Sequence, residues 1–142
     1  MNKQVIIDNI KNCLTGRGEI LFAYIPGTFL QEGDDFKDID IALYLDEKKI
    51  KKIDTLDYEL ETSLLLEKEV EPGKSFNRYV PVDVKVINDA PVSFRYSVTN
   101  GVLLFSKRED IHEEFLCRTW QEYFDFQYLS GTYLREVLDA QV

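Results

Sequence analysis

The stretch YIPGTFLQEGDDFKDIDIALYL (Tyr24–Leu45) decides how this chain is read. It sets Asp35, Asp38 and Asp40 within six positions, and the last two interrupt an apolar run. Carboxylates placed among strand residues repel one another and lose hydration, so something must offset that cost. Side chains two apart on a strand point to the same face, which puts Asp38 and Asp40 together and Ile39 and Ile41 on the other side.

Working outward, EILFAYI (Glu19–Ile25) is a short run of strand formers closed by Pro26-Gly27. Upstream, Val5, Ile6, Ile10, Cys13 and Leu14 recur at helical spacing, and the glycines of TGRG end that helix. Downstream, Ile53, Leu56, Leu60 and Leu64 mark an amphipathic helix with Asp54 as its N-cap, and DEKKIKK before it reads as a solvated loop or helix start. EPGKSFNRY is a turn-rich loop. VPVDVKVI (Val80–Ile87) then alternates strictly, with four valines on one face and Asp83 and Lys85 on the other. A short helix begun by Pro91 and stopped by Gly101, a strand VLLF (Val102–Phe105) and a long helix over about 110–138 complete the order. That order predicts a single α/β domain over residues 1–142, a mixed sheet with flanking helices and a long C-terminal helix.

If the strands of Asp40 and Asp83 are neighbours, three carboxylates converge. Clustered anions are unfavourable unless protonated or bridged by cations, and hard oxygen donors favour Mg²⁺ or Mn²⁺. A shared carboxylate set can hold two ions, an arrangement that suits phosphoryl or nucleotidyl transfer. Asp-x-Asp alone is common. Gly27-Thr28 at the end of the preceding strand adds to it, because a small residue lets backbone N–H groups approach a phosphate and a hydroxyl can donate to it.

Gly27-Thr28, nine intervening residues, Asp38-Ile39-Asp40 and then Asp83 resemble the motif of the DNA polymerase β-like nucleotidyltransferase superfamily. With APVSFRYSVTNGVLLFSKRE after the third aspartate and an aromatic helix containing YFDF, the chain from about residue 19 to residue 130 is similar to the minimal nucleotidyltransferase (MNT) family. The resemblance implies the polymerase β-like fold, with Asp38, Asp40 and Asp83 catalytic and holding two Mg²⁺ ions. Gly27, Thr28 and Lys85 would then bind the nucleotide, with ATP as substrate. It also implies an antitoxin role: such proteins are partners of HEPN ribonuclease toxins, and some move AMP from ATP to a toxin tyrosine. Family members commonly continue with Ala-Arg-Gly, where this chain has Leu30-Gln31-Glu32-Gly33. The missing cation is left to Lys37, Lys85 or Arg78. Transfer to a small-molecule hydroxyl, or occlusion of the partner without chemistry, are the alternative roles.

A net charge of −9, from 26 acidic and 17 basic residues, argues against a nucleic-acid partner, which needs a basic face. No apolar run reaches a membrane span, and the N-terminus lacks a signal-peptide pattern. Cys13 and Cys117 read as reduced, buried thiols of a cytoplasmic protein. Arg95 is a candidate for the phosphates or a partner, His112 reads as solvated, and Asp34 and Asp35 as turn charges. Phe115, Trp120, Tyr123, Phe124, Phe126, Tyr128 and Tyr133 occupy more than one face of the last helix. One face should pack on the sheet and the other should contact another protein, either a partner or a second copy in a homo-oligomer.

Overall fold

Among the described residues ten elements follow one another: α1 (Lys3–Thr15), β1 (Ile20–Ile25), α2 (Gly27–Gln31), β2 (Ile39–Leu45), α3 (Glu47–Ile50), α4 (Thr55–Val70), β3 (Val82–Val86), α5 (Val92–Thr99), β4 (Val102–Ser106) and α6 (Glu109–Ala140). The computed structural model describes residues 3–31, 38–70 and 80–140. The strands form one sheet in the order β3-β2-β1-β4. β1 pairs antiparallel with β2 and β4, whereas β2 and β3 run parallel. This is the mixed sheet with flanking helices that the residue pattern predicts, with α2 and α3 added as short turns of helix.

The period-2 pattern sorts the sheet into two faces. Ile39, Ile41, Leu43 and Leu45 of β2, with Val82 and Val84 of β3, bury against Ile6, Ile10 and Leu14 of α1 and Tyr58, Leu66 and Val70 of α4. The other face is aromatic: Phe22, Tyr24 and Tyr44 gather under Phe115 of α6. Phe22 and Tyr44 stack with ring centroids 4.6 Å apart. A register shift between Ile20 and Phe22 is a β-bulge, which lets Leu21 and Phe22 both join this second cluster. Gly101 opens β4 where it passes close to β1. A Cβ there would stand 2.5 Å from the Ile25 carbonyl oxygen, so backbone contact requires glycine.

Strand β3 lies at the sheet edge, yet α4 seals it. The N–H groups of Val82, Val84 and Val86 donate to Glu67 Oε1, Ser63 Oγ and Glu59 Oε2 at 3.0, 3.1 and 2.8 Å. Residues 59, 63 and 67 are one helical turn apart, so a polar stripe on α4 matches the outward N–H groups of an edge strand. Asp54 caps α4 as expected, accepting from the Asp57 N–H.

The buried face of α4 differs from the expected one. Leu56, Leu60 and Leu64 are exposed, and Tyr58, Thr62, Leu66 and Val70 face inward. The physical reason is the seal: helix rotation is set by the polar ladder to β3, which turns the leucine stripe toward water. Val5 is likewise exposed while Ile7 is buried, and Cys117 is exposed and Cys13 half-buried, both as free thiols. Leu66→Ala should therefore destabilise the chain by about 2–5 kcal/mol, whereas Leu60→Ala should stay within about 0.5 kcal/mol. Urea unfolding midpoints read the difference, and equal losses would reverse the assignment of faces.

Candidate active site

The parallel pairing of β2 with β3 sets Asp40 directly across from Asp83, and Ala42 across from Lys85. Both carboxylates belong to the face opposite the aliphatic core and are exposed. Lys85 Nζ lies 3.9 Å from Asp83 Oδ1, with both side chains more than half exposed, so the pair adds little to stability. Two acidic side chains and a lysine are thus gathered on one exposed face of adjacent strands. Polar groups that converge at the edge of an apolar cleft mark a candidate binding site.

Asp40, Asp83 and Lys85 form the polar wall of a cavity of about 310 Å³. Its apolar wall is Tyr24, Ile25, Pro26, Ile41 and Ala42 below, with Phe94, Ser97 and Val98 of α5 at the side. The α5 contribution was not anticipated from sequence, because an eight-residue helix with Phe94 half-exposed reads as ordinary surface. Gly27 and Thr28 are the first residues of α2, next along the chain from the cavity residue Pro26. Among the described residues beyond its own turn of helix, the atom nearest to where a Gly27 Cβ would stand is the Asn100 carbonyl oxygen at 3.8 Å, an ordinary contact distance.

Asp38 is exposed, one residue before β2 begins, and does not line the cavity. Among the described residues no three acidic, histidine or cysteine side chains are gathered as a metal-holding group. The donor chemistry of Asp40 and Asp83, hard oxygens facing each other, fits Mg²⁺ or Mn²⁺. Lys37, Arg78, Asp34 and Asp35 lie outside the described residues.

Two readings change. Arg95 is buried and turned away from the cavity: its Nε donates to the Ala90 carbonyl at 2.9 Å, and its guanidinium meets Thr119 and Glu122 of α6. It ties α5 to α6. His112 is buried, not solvated, because 112, 115 and 119 form the α6 stripe that faces the sheet. His112 Nε2 hydrogen-bonds the Tyr24 hydroxyl beneath the cavity, with the ring against Phe22 and Nδ1 4.0 Å from Glu109. Burial, reinforced by Glu109, pushes the Tyr24 hydroxyl up to about 12, so it stays protonated. Burial holds the His112 imidazolium below its ordinary range, against the opposing pull of Glu109 and Glu113.

Residues 8–110 match the family described as Polymerase beta, Nucleotidyltransferase, and the chain belongs to that family. A crystal structure of the toxin–antitoxin MntA–HepT is similar at TM-score 0.65 and 19% identity, covering 95% of this chain and 98% of that one. A tri-AMPylated Shewanella oneidensis HEPN toxin in complex with MNT antitoxin gives 0.60 and 20%, covering 96% and 99%. A toxin–antitoxin structure with AMP-PNP gives 0.58 and 21%, covering 97% and 99%. No curated protein matches the chain in sequence. The fold is thus the polymerase β-like one, and no helix among the described residues is long and apolar enough to cross a membrane.

Because the His112 pKa is depressed by folding, the unfolded chain takes up a proton first as pH falls. The stability conferred by neutral His112 is complete above about pH 6.5 and is lost as pH drops below it. His112→Gln keeps a partner for Tyr24 but cannot titrate. Between pH 7.5 and 5.5 the unfolding midpoint of the wild type should fall more steeply than that of the variant. Parallel profiles would show that His112 is not the group responsible.

Proposed function

We propose that this chain transfers AMP from ATP to a hydroxyl of a protein partner, a tyrosine of a HEPN-type toxin, and so serves as that toxin's antitoxin. The observation that carries the reading is the Asp40–Asp83 register pair on the open face of a polymerase β-like sheet, beside a cavity of nucleoside size. Support comes from the family to which residues 8–110 belong and from similar structures described as AMPylated toxin complexes.

Asp38, Asp40 and Asp83 would together hold two Mg²⁺ ions. Bound cations of this kind supply Lewis-acid stabilisation of the transferring phosphoryl group. Gly27 and Thr28 face the phosphates, and the Lys85 ammonium neutralises part of their charge in place of the absent arginine. The acceptor oxygen forms a bond to the α-phosphorus while the bond to the bridging oxygen breaks, and pyrophosphate leaves. Asp83 takes the hydroxyl proton. A carboxylate suits this only when the hydroxyl is already acidified in place, and a phenol is easier to deprotonate than an aliphatic alcohol. The net charge of −9 favours a protein acceptor over a polynucleotide.

Occlusion without transfer is the second reading, favoured by one observation: Asp38 stands apart from the cavity wall. Incubation with ATP, Mg²⁺ and a HEPN-type partner, followed by intact mass measurement, separates the two. The expected result is one or more added AMP units on the partner, reduced on the order of 100-fold or more in Asp40→Asn and in Asp83→Asn with the fold retained. Neutralisation of the toxin with no mass gain would establish occlusion instead.

A further inference from the structure

Helix α6 is much longer than the body it packs on. Its 32 residues span roughly 48 Å. Its first half is held twice: His112, Phe115 and Thr119 face the sheet, and a second stripe holds α5. In that second stripe Tyr123 stacks on Tyr96 at 3.7 Å, Phe124 meets the edge of the same ring, and Trp120 Nε1 donates to Thr99 Oγ1 at 3.0 Å. Thr99 pairs with Trp120 while Tyr96 pairs with Tyr123 and Phe124, so α5 runs antiparallel to α6 and its N-terminus points toward the distal half.

The stripe that holds α5 continues after α5 ends. Gly131 follows Phe124 by seven residues, Leu138 follows Gly131 by seven, and Leu134 follows Trp120 by fourteen. A seven-residue repeat keeps side chains on one seam of a helix. Leu134 and Leu138 are 58% and 62% exposed, so this part of the seam is bare. Gly131 sits within it, and a Cβ there would meet nothing within 4 Å. A mid-helix glycine costs about 1 kcal/mol relative to alanine, and no contact among the described residues calls for it. Its use is to let another backbone come close.

We propose that the acceptor protein seats an apolar helix on the bare seam of α6, in line with α5, with Gly131, Leu134 and Leu138 at its centre. This rests on the transfer reading above. An enzyme acting on a macromolecule grips it beyond the reacting group, and the grip must adjoin the cavity. α5 connects the two, because it carries Phe94, Ser97 and Val98 on the cavity wall and packs on Trp120, Tyr123 and Phe124, the earlier part of the same stripe. The bare leucine stripe of α4, Leu56, Leu60 and Leu64, belongs to the opposite layer, since α4 packs on the aliphatic face. Charge selects the occupant: distal α6 presents Asp125, Glu136 and Asp139 against Arg135 alone, so the docking helix carries basic side chains beside its apolar face, unlike a second copy of this acidic chain.

The test measures affinity of the full chain for the product of the adjacent gene, expected to be a HEPN-type protein, by calorimetry. ATP affinity and unfolding midpoint are measured on the free chain. Leu134→Asp combined with Leu138→Asp, and separately Gly131→Leu, should each weaken partner binding by about 30-fold or more. ATP affinity should not change, and Leu60→Asp should leave partner binding intact. Gly131→Leu raises helix propensity, so its effect cannot come from unfolding. Wild-type affinity in the seam variants, with AMP transfer preserved, would overturn the docking site and leave the transfer reading standing. So would loss confined to Leu60→Asp, or sedimentation showing that the seam variants abolish self-association instead. Absence of any complex or transfer with the wild type would overturn both.

Discussion

Strand β3 is held from both sides, and the candidate site depends on that. On one side it pairs with β2 in a parallel register that sets Asp83 across from Asp40. On the other, three N–H groups that an edge strand would leave to water donate to Glu59, Ser63 and Glu67. A one-residue slip of β3 would turn Asp83 into the aliphatic core and Val82 or Val84 toward solvent. The α4 acceptors bond the N–H groups of Val82, Val84 and Val86 in the same register in which the valine side chains pack into the aliphatic core. Two carboxylates that repel each other are kept opposite by interactions on the far side of the strand.

The sheet also shares out its two faces unequally. The aliphatic face is closed along its length by α1 and α4. On the other face the aromatic cluster of Phe22, Tyr44 and Phe115 closes only part of the surface, and the cavity occupies the rest. Asp40 and Asp83 therefore stay hydrated, which lowers the cost of their proximity. Tyr24 joins the two regions: its ring lines the cavity while its hydroxyl reaches His112 in α6. The floor beneath the carboxylates is thereby tied to the helix that also carries the exposed seam.

Much of this was legible in the residues. Strand positions and the common face of Asp83 and Lys85 follow from period-2 alternation, because backbone geometry enforces it, whereas the pairing of Asp40 with Asp83 depends on which strands are neighbours, which alternation does not record. Asp54 as a cap follows from local hydrogen bonding alone. The misread features are those where a polar group turns inward to meet a partner distant in sequence. Glu59, Ser63 and Glu67 look like a solvated stripe until an edge strand stands beside them. His112 reads as solvated, and Arg95 as a contact for phosphates or a partner, until Tyr24 and Glu122, 88 and 27 positions away, supply partners within the chain. Hydrophobic periodicity finds the apolar face of α4 but cannot choose between two faces when the second is polar by necessity. Phe94 and Val98 escaped for a related reason: a cavity wall is defined by what it faces, which no spacing records.

The exposed leucines of α4 and the exposed seam of α6 raise the question of why one chain carries two apolar stripes in water. For α4 the answer is geometric. Sealing β3 fixes the rotation of the helix, and strong helix formers at 56, 60 and 64 support it locally whichever way they face. No residue there sacrifices stability. In α6 the case is different, since Gly131 lowers helix stability at a position where no described residue would meet a side chain. A destabilising residue amid an unpacked apolar seam is consistent with selection for contact outside the chain, whereas the α4 stripe is accounted for within it. The two stripes look alike in exposure and differ in what the fold itself explains.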